Sequence, residues 1–264
     1  IRSITGCAAT AVAQLVNFHK YVGGANFGES DRYAANGILI DQDSSNFGFP
    51  SFGTLNGLLS KVQQKYDLGQ DLNDGDIGAV NFASGVGLRS IFTSNETATW
   101  NSTNIKKFQY ASSQYVNVCD TFYVIIRRNV MNGLPVLVSM QRGAGDGHVV
   151  VVDGYNSDGY FHVNFGWGHG SPGWARLRDS NIGHELGYLG FDHVMGALFN
   201  IYPKRDSYHT FLGLNSYKVD FNGVRLNNRK VLSVMANNTT DSTVSVDSIY
   251  VLGGFQVGNA GVFS

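Results

Sequence analysis

The sequence has 264 residues, a net charge of −1 and 15% charged residues. This length suffices for one large hydrophobic core or two smaller ones. The nearly neutral balance offers no basic surface, so we predict no nucleic-acid partner. No run reaches the roughly 18 apolar residues of a membrane-spanning helix, so we predict no membrane span. Two cysteines, Cys7 and Cys119, are too few for a disulfide scaffold.

The first predicted helix starts near Cys7, in the segment CAATAVAQLVNFHKYV. Its apolar residues recur with a nearly helical period, and alanine is the best helix former. We expect Thr5 to cap the start of this helix and Gly23-Gly24 to stop it. Cys7 would then lie in the first turn, where unpaired backbone N–H groups and the helix dipole favour a thiolate.

The region between the first helix and residue 110 contains one strong helical pattern. Leu55 to Tyr66 carries an apolar face, which predicts a helix. Residues 24–52 are predicted to be a long loop or insertion with little regular structure. Asp71 to Ser84 is rich in Asp, Asn and Gly. A short helix is predicted at Val86 to Phe92, and a strand near Lys107 to Tyr110.

A further helix is predicted over Thr121 to Asn132, where Asp120 can cap its start and Gly133 ends it. Pro135 then begins a predicted strand, PVLVSM. Cys119 lies just before this helix. We expect it to be a small buried thiol, which is the usual state of a free cysteine.

A glycine-rich loop, Gln141 to Gly147, leads into a predicted β-hairpin that begins at His148. The run Val149 to Val152 is typical of a strand buried on both faces. A turn cluster follows, and Tyr160 to Phe165 predicts the second strand. The glycines before the histidine, Gly147 among them, would let a ligand backbone approach closely.

His148 and Asn164 stand at the open end of this hairpin, on neighbouring strands. Their separation of 16 residues is even, so an odd-length loop would place both side chains on one sheet face. A three-residue loop, Ser157 to Gly159, with a bulge would pair His148 with Gly168. A loop centred on Asn156 would instead pair His148 directly with Asn164. The sequence leaves these two registers open.

The composition changes after Pro203. Residues 192–202 are expected to end a compact unit, and we place the boundary between residues 204 and 205. Residues 205–264 contain short alternating or β-branched segments between Asn and Gly turns, which predicts β-strands. This extension is short for a complete sandwich of roughly 100 residues, so we interpret it as a truncated β-sandwich.

A cysteine at a helix start, a distant histidine and an orienting amide are the components of a thiol hydrolase. In that arrangement the imidazole of His148 takes the proton of the Cys7 thiol, and Asn164 holds the other ring nitrogen. A lone histidine at a strand end is more often a structural residue, so the case depends on the cysteine. We predict no metal ion and no cofactor.

Three segments also match motifs of a known family. They are TGCAATAVAQLVNFH around the cysteine, RRNVMNGLPVLVSM before the histidine, and GHVVVVDGYNSDGYFHVNFGWG from there onward. Together they resemble the streptopain family of bacterial cysteine peptidases, over about Thr5 to Lys204. The local cysteine signature of papain itself is absent.

The resemblance implies an α+β, papain-like fold, with a helical subdomain packed on an antiparallel sheet, in a peptidase domain spanning residues 1–204. It implies a secreted bacterial cysteine endopeptidase, made as a zymogen with a propeptide and acting on proteins or peptides. The low charge and the 33 glycines agree with secretion. The start without Met or a signal peptide leads us to expect a processed form.

The resemblance also assigns residues to roles. By position Cys7 is the nucleophile, His148 the base and Asn164 the orienting residue. Trp167 matches the family's second tryptophan and would shield the catalytic pair. Trp167 and Gly147 are the residues that we expect to contact the substrate.

Two departures from the family pattern bear on activity. Phe165 replaces the family's first tryptophan, which keeps an aromatic ring but loses the indole N–H. The family's oxyanion-hole glutamine lies well upstream of the cysteine, beyond the six residues that precede Cys7. Gln14 lies downstream on the helix, so we do not expect it to replace that glutamine. Loss of one oxyanion donor typically costs roughly 10²–10³ in rate.

Two alternatives remain open. The same helix-cysteine and strand-histidine logic serves other acyl-transfer enzymes, such as amidases or transglutaminase-like proteins. The chain could also be an inactive binding module that keeps the fold and works through its C-terminal β-region. Capture by a thiol-directed inhibitor separates the enzymes from the module, and a peptide-bond assay separates peptidase from transferase.

Overall fold

A computed structural model describes residues 5–41, 48–93, 97–99, 105–112, 115–143, 146–168, 173–175, 177, 193–204, 212–214 and 236–238. The chain divides into two compact units, Ile1–Lys204 and Arg205–Ser264. All candidate catalytic residues belong to the first unit.

The first unit contains helices mainly in its N-terminal part and strands mainly in its C-terminal part. Its α-helices are α1 (Cys7–His19), α2 (Phe52–Asp67), α3 (Asp74–Gly87) and α4 (Phe122–Met131), and short 3-10 helices span Glu29–Asp31 and Lys106–Phe108. Its strands are β1 (Tyr33–Ala35), β2 (Ile38–Ile40), β3 (Ile91–Phe92), β4 (Thr97–Ala98), β5 (Tyr110–Ala111), β6 (Val116–Asn117), β7 (Val136–Arg142), β8 (Asp146–Tyr155), β9 (Phe161–Asn164), β10 (Trp174–Ala175), β11 (His193–Leu198) and β12 (Tyr202–Pro203).

A six-stranded sheet with the strand order β10-β9-β8-β7-β11-β6 forms the centre of this unit, and its neighbouring strands are antiparallel. An apolar cluster that includes Val151 joins residues of α1, α2 and α3 to one face of the sheet. A second cluster, which includes Val150 and Val152, joins α4 to the other face. The predicted α+β architecture, with helices packed on an antiparallel sheet, is confirmed.

Helix α1 begins where predicted, but its N-cap is Gly6 and the Thr5 assignment is wrong. Gly6 has extended backbone angles, φ −76° and ψ 154°. A Cβ atom on Gly6 would lie 2.2 Å from the backbone oxygen of Thr97, so this close approach requires glycine. The helix ends at His19, because Lys20 adopts a left-handed conformation and its N–H bonds the last carbonyls.

The long periodic segments are confirmed. Helix α2 contains the predicted Leu55 to Tyr66 and begins earlier, because the Ser51 hydroxyl accepts a hydrogen bond from the N–H of Thr54. Helix α4 lies within its predicted range, with Thr121 rather than Asp120 as N-cap. Strand β7 follows Pro135 as expected.

Helix α3 was not predicted, and the helix expected at Val86 to Phe92 is wrong. An Asn73–Asp76 capping box starts α3, because each side chain bonds the other residue's backbone N–H. An ion pair between Lys65 and Asp76 links α2 to α3. A Cβ on Gly85 would lie 2.8 Å from the ring of Phe92, so a small residue is needed there.

Two further expectations need correction. The stretch predicted as a loop over residues 24–52 contains the β1–β2 hairpin and a 3-10 helix. The strand predicted near Lys107 to Tyr110 is mostly a 3-10 helix, followed by β5. Both segments are too short for periodicity to distinguish helix from strand.

The second unit is described by two strands, β13 (Leu212–Leu214) and β14 (Ala236–Asn238), which pair antiparallel. The other strands predicted between residues 205 and 264 lie outside the described residues.

Candidate active site

Cys7 is the first residue of α1 and is a partly exposed free thiol. Because its N-cap is glycine, no capping side chain occupies the first N–H groups of the helix. These groups and the helix dipole form a positive end that suits an anion. The structure thus places a reachable sulfur at the helix end that stabilises negative charge.

His148 lies on β8 with only 6% of its surface exposed. Its Nε2 atom is 3.2 Å from the backbone oxygen of Phe165. A carbonyl can only accept, so Nε2 must carry the proton and donate it. In the neutral ring Nδ1 is therefore the basic nitrogen.

Two aromatic rings cover the imidazole of His148. The Phe165 ring stacks on it, with centroids 5.9 Å apart and an interplanar angle of 11°. The indole of Trp167 lies 4.9 Å away at 42° and is half exposed to solvent. Trp167 and Phe165 therefore form two aromatic walls beside the histidine.

Burial is the main influence on the charge of His148. It lowers the pKa of the imidazole, because a desolvated ring disfavours the positive form. The hydrogen bond to the Phe165 carbonyl acts in the opposite direction, and the positive charge of Arg142 lowers the pKa further.

The hairpin of β8 and β9 has one of the two loops that the sequence left open, but it does not have the predicted parity. Near the turn Tyr155 pairs with Phe161, which is the register of the Ser157 to Gly159 loop. A bulge between Val152 and Gly154 then shifts the register by one residue, so that Val151 pairs with Asn164. The prediction that His148 and Asn164 share a sheet face is therefore wrong, because one inserted residue reverses the alternation.

Asn164 accordingly faces α1. Its Oδ1 atom accepts hydrogen bonds from Nε2 of Gln14 at 2.9 Å and from the backbone N–H of Gly166 at 3.0 Å. Helix α1 and the end of β9 are thus directly connected. Neither of these two hydrogen bonds involves the ring of His148, the contact that the sequence predicted for Asn164.

Gln14 and Thr10 were missed as site residues by the sequence analysis. A Cβ on Gly166 would lie 2.9 Å from the Thr10 γ-methyl group. Cys7, Thr10 and Gln14 follow an i, i+3, i+7 spacing. This spacing places three polar residues on one face of a largely buried, apolar helix. This stripe was the signal available in the sequence.

The remaining candidates occupy distinct positions. Gly147 is exposed at the edge of β8, and a Cβ there would meet no heavy atom within 4 Å. Cys119 is exposed, which corrects the expectation of a buried thiol. The carboxylate of Asp153 lies 2.5 Å from Nδ1 of His162, near the turn of the hairpin.

Two general findings apply to the part of the chain that the structure describes. It contains no group of three or more His, Cys, Asp or Glu side chains arranged to hold a metal ion. None of its helices has the length and apolar character required to cross a membrane.

Comparison with known proteins identifies relatives. A profile of the "Peptidase C10 family" matches residues 1–174. Streptopain of Streptococcus pyogenes is 26% identical over 225 residues, covering 75% of this chain and 52% of that protein. The thiol protease/hemagglutinin PrtT of Porphyromonas gingivalis is 29% identical over 211 residues, covering 76% and 24%. The chain thus spans about half the length of streptopain.

Solved structures of interpain A from Prevotella intermedia are also similar. The active wild-type cysteine protease aligns with 75% of this chain and 83% of its own length, at 23% identity and a TM-score of 0.46. A fragment of prointerpain A aligns with 77% of this chain and 65% of its own length, at 18% identity and a TM-score of 0.48.

Proposed function

Because the chain belongs to the Peptidase C10 family, we propose that it hydrolyses peptide bonds with Cys7 as nucleophile and His148 as base. One observation carries the proposal: the nucleophile helix and the histidine are bound to the same short segment. Helix α1 bonds Asn164 through Gln14. His148 bonds the next residue, Phe165.

The hydrogen bond of the imidazole supports one route for the proton transfers. Since Nε2 donates to Phe165, Nδ1 takes the proton of the Cys7 thiol. The thiolate attacks the substrate carbonyl carbon, and the backbone N–H of Cys7 stabilises the oxyanion. The C–N bond then breaks as His148 protonates the departing amine, and water hydrolyses the acyl-enzyme with His148 again as base.

The charge state of the pair follows from two opposing effects. Burial lowers the pKa of His148 and favours the neutral ring. A neighbouring thiolate stabilises the imidazolium and opposes this effect. The thiolate–imidazolium pair therefore depends on both partners, and removing the thiol leaves the histidine neutral.

Two residues are proposed to contact the substrate. Trp167 is half exposed beside the catalytic histidine and can shield the reaction from water. The open space over Gly147 can admit a substrate backbone. Protein or peptide chains are the substrates that we propose.

Secretion and synthesis as a zymogen form the second part of the proposal. The low share of charged residues supports secretion. A proenzyme of interpain A, prointerpain A, supports a propeptide.

A peptidyl inhibitor with a thiol-reactive group tests the function. We expect it to label Cys7 in the wild type and in the Cys119→Ser control, and to leave Cys7→Ser unlabelled, as mapped by mass spectrometry. Hydrolysis of a peptide substrate should follow the same pattern. Absence of labelling would indicate an inactive binding module, whereas labelling without peptide hydrolysis would indicate an acyl-transfer enzyme of another kind.

A further inference from the structure

One peptide bond connects Asn164 to His148. The carbonyl of Phe165 accepts from Nε2 of His148 at 3.2 Å, and the N–H of Gly166 donates to Oδ1 of Asn164 at 3.0 Å. This carbonyl and this N–H belong to the same peptide unit. Because the unit is planar and trans, the two groups point in opposite directions. The histidine and the asparagine therefore bind opposite sides of one rigid group.

The faces of the sheet agree with this arrangement. Met140 pairs with His148 and belongs to the apolar cluster on the α4 side, as does Phe165. Asn164 pairs with Val151, which belongs to the cluster on the α1 side. The Phe165–Gly166 peptide therefore crosses from the α4 side of the sheet to the α1 side.

Gln14 fixes this peptide from the nucleophile helix. The backbone N–H of Gly166 can only donate, so the Asn164 atom that it meets is the oxygen. The Gln14 atom facing that oxygen must then be Nε2, the donor. The amide oxygen of Asn164 thus accepts two hydrogen bonds, one from the peptide and one from α1.

The position of Gln14 is unfavourable for stability alone. Among the described residues its Oε1 atom is buried and finds no hydrogen-bond partner. A buried acceptor without a donor costs free energy. Gln14 therefore satisfies one half of its amide by holding Asn164 and leaves the other half unsatisfied.

Gly166 brings the same peptide against α1. Its φ is +74°, and a Cβ would lie 2.9 Å from the Thr10 γ-methyl and 3.7 Å from Nε2 of Gln14. Glycine is required here for both reasons. Helix α1 consequently supports the Gly166 end of the peptide by direct contact as well as through Asn164.

We propose that Asn164 orients His148 indirectly, through the Phe165–Gly166 peptide, and that Gln14 is a positioning residue that holds this relay from α1. The inference rests on the proposed function, in which His148 is the base. It follows that α1 controls both partners of the catalytic pair: it carries Cys7 at its start and, two turns later, fixes the peptide that holds the histidine.

The test compares Gln14→Met, Asn164→Ala and the double variant by peptide hydrolysis. We expect each single variant to lower kcat by between several-fold and about 100-fold, the loss that a misplacement of about 1 Å causes, with KM unchanged. The double variant should lose no more than Asn164→Ala alone, because Gln14 acts only through Asn164. Multiplicative losses, or a Gln14→Met protein with wild-type kcat, would overturn the inference.

A matched control and a rescue complete the kinetic design. Gln63 is also half-buried and bonds a backbone N–H, that of Val22, so Gln63→Met should change the unfolding midpoint without changing kcat. Asn164→Asp keeps an oxygen that accepts both hydrogen bonds and should retain more kcat than Asn164→Ala. Equal loss in both Asn164 variants would contradict the relay. Gln14→Asn, too short to reach Asn164, replaces Gln14→Met if the latter does not fold.

The nitrogen chemical shifts of His148 give a readout that does not depend on turnover. In Cys7→Ser protein, where the histidine is neutral, nitrogen-15 NMR should show the Nε2–H tautomer. Adding Gln14→Met to that protein should lower the share of this tautomer. An unchanged tautomer would overturn the relay even if kcat falls. A wild type that hydrolyses no peptide would instead overturn the proposed function, and the tautomer shift would still test the relay.

Discussion

Gly166→Ala should destabilise the protein more than a glycine substitution at the same backbone angle elsewhere. An L-residue in the left-handed region costs about 1–2 kcal/mol, which applies here because φ of Gly166 is +74°. The new methyl group would also lie 2.9 Å from the Thr10 γ-methyl. Overpacking of this kind costs about 1–3 kcal/mol. The expected total is therefore about 2–5 kcal/mol.

Gly133 provides the matched control, because its φ is +72° and a Cβ there would meet no heavy atom within 4 Å. Gly133→Ala should lower the free energy of unfolding only through the left-handed backbone conformation, by about 1–2 kcal/mol. Urea unfolding measures both costs. Thr10→Ser removes the γ-methyl and should recover most of the excess in the Gly166→Ala background. Equal costs at the two glycines, or no recovery with Thr10→Ser, would refute the close contact between α1 and this peptide.

Three further predictions concern pH, substrate binding and the extension. In Cys7→Ser protein no thiolate lies beside His148, and burial lowers the pKa of this histidine in the folded state. The unfolded state then binds the proton more readily, so the contribution of His148 to stability is complete above about pH 6.5 and is lost as the pH falls below that value. Urea unfolding midpoints should show this loss, and His148→Gln should remove it. Gly147→Ala should raise KM without changing the unfolding midpoint. The control Gly57→Ala, on the exposed face of α2, should leave KM unchanged. Equal KM values for Gly147→Ala and the wild type would argue against a substrate path over Gly147. Deletion of residues 205–264 should leave hydrolysis of a small peptide intact, and loss of hydrolysis from a folded residue 1–204 protein would make the extension part of the site.

The parts of the fold that were predictable are those with long, regular patterns. Helices α1, α2 and α4 show a helical period over three turns or so, and β7 and β8 contain runs of apolar residues. Helix α3 has a sequence that is rich in glycine, a poor helix former. Its stability comes from the Asn73–Asp76 capping box and from packing of Gly85 against Phe92, and packing cannot be derived from local propensity.

For the candidate site, the elements that carry its residues were predictable, but the faces of the hairpin were not. The helix-start position of Cys7 and the buried strand of His148 follow from local sequence. The faces of the hairpin do not, because a single extra residue at Asp153 reverses the alternation between His148 and Asn164. The link through Gln14 depends on that reversal, since only the reversed register turns Asn164 toward α1.

The pH dependence of Cys7 alkylation tests the proposed pair of Cys7 and His148 most directly. In a Cys119→Ser background Cys7 is the one remaining thiol, so the rate of reaction with iodoacetamide reports its thiolate. An ordinary thiol ionises at about pH 8.5. If His148 takes the proton of Cys7, alkylation should already be fast well below that pH. The plot of kcat/KM against pH should be bell-shaped over the same range. His148→Gln should move the alkylation profile toward that of an ordinary thiol. Superimposable profiles for the two proteins would contradict the assignment of His148 as the base.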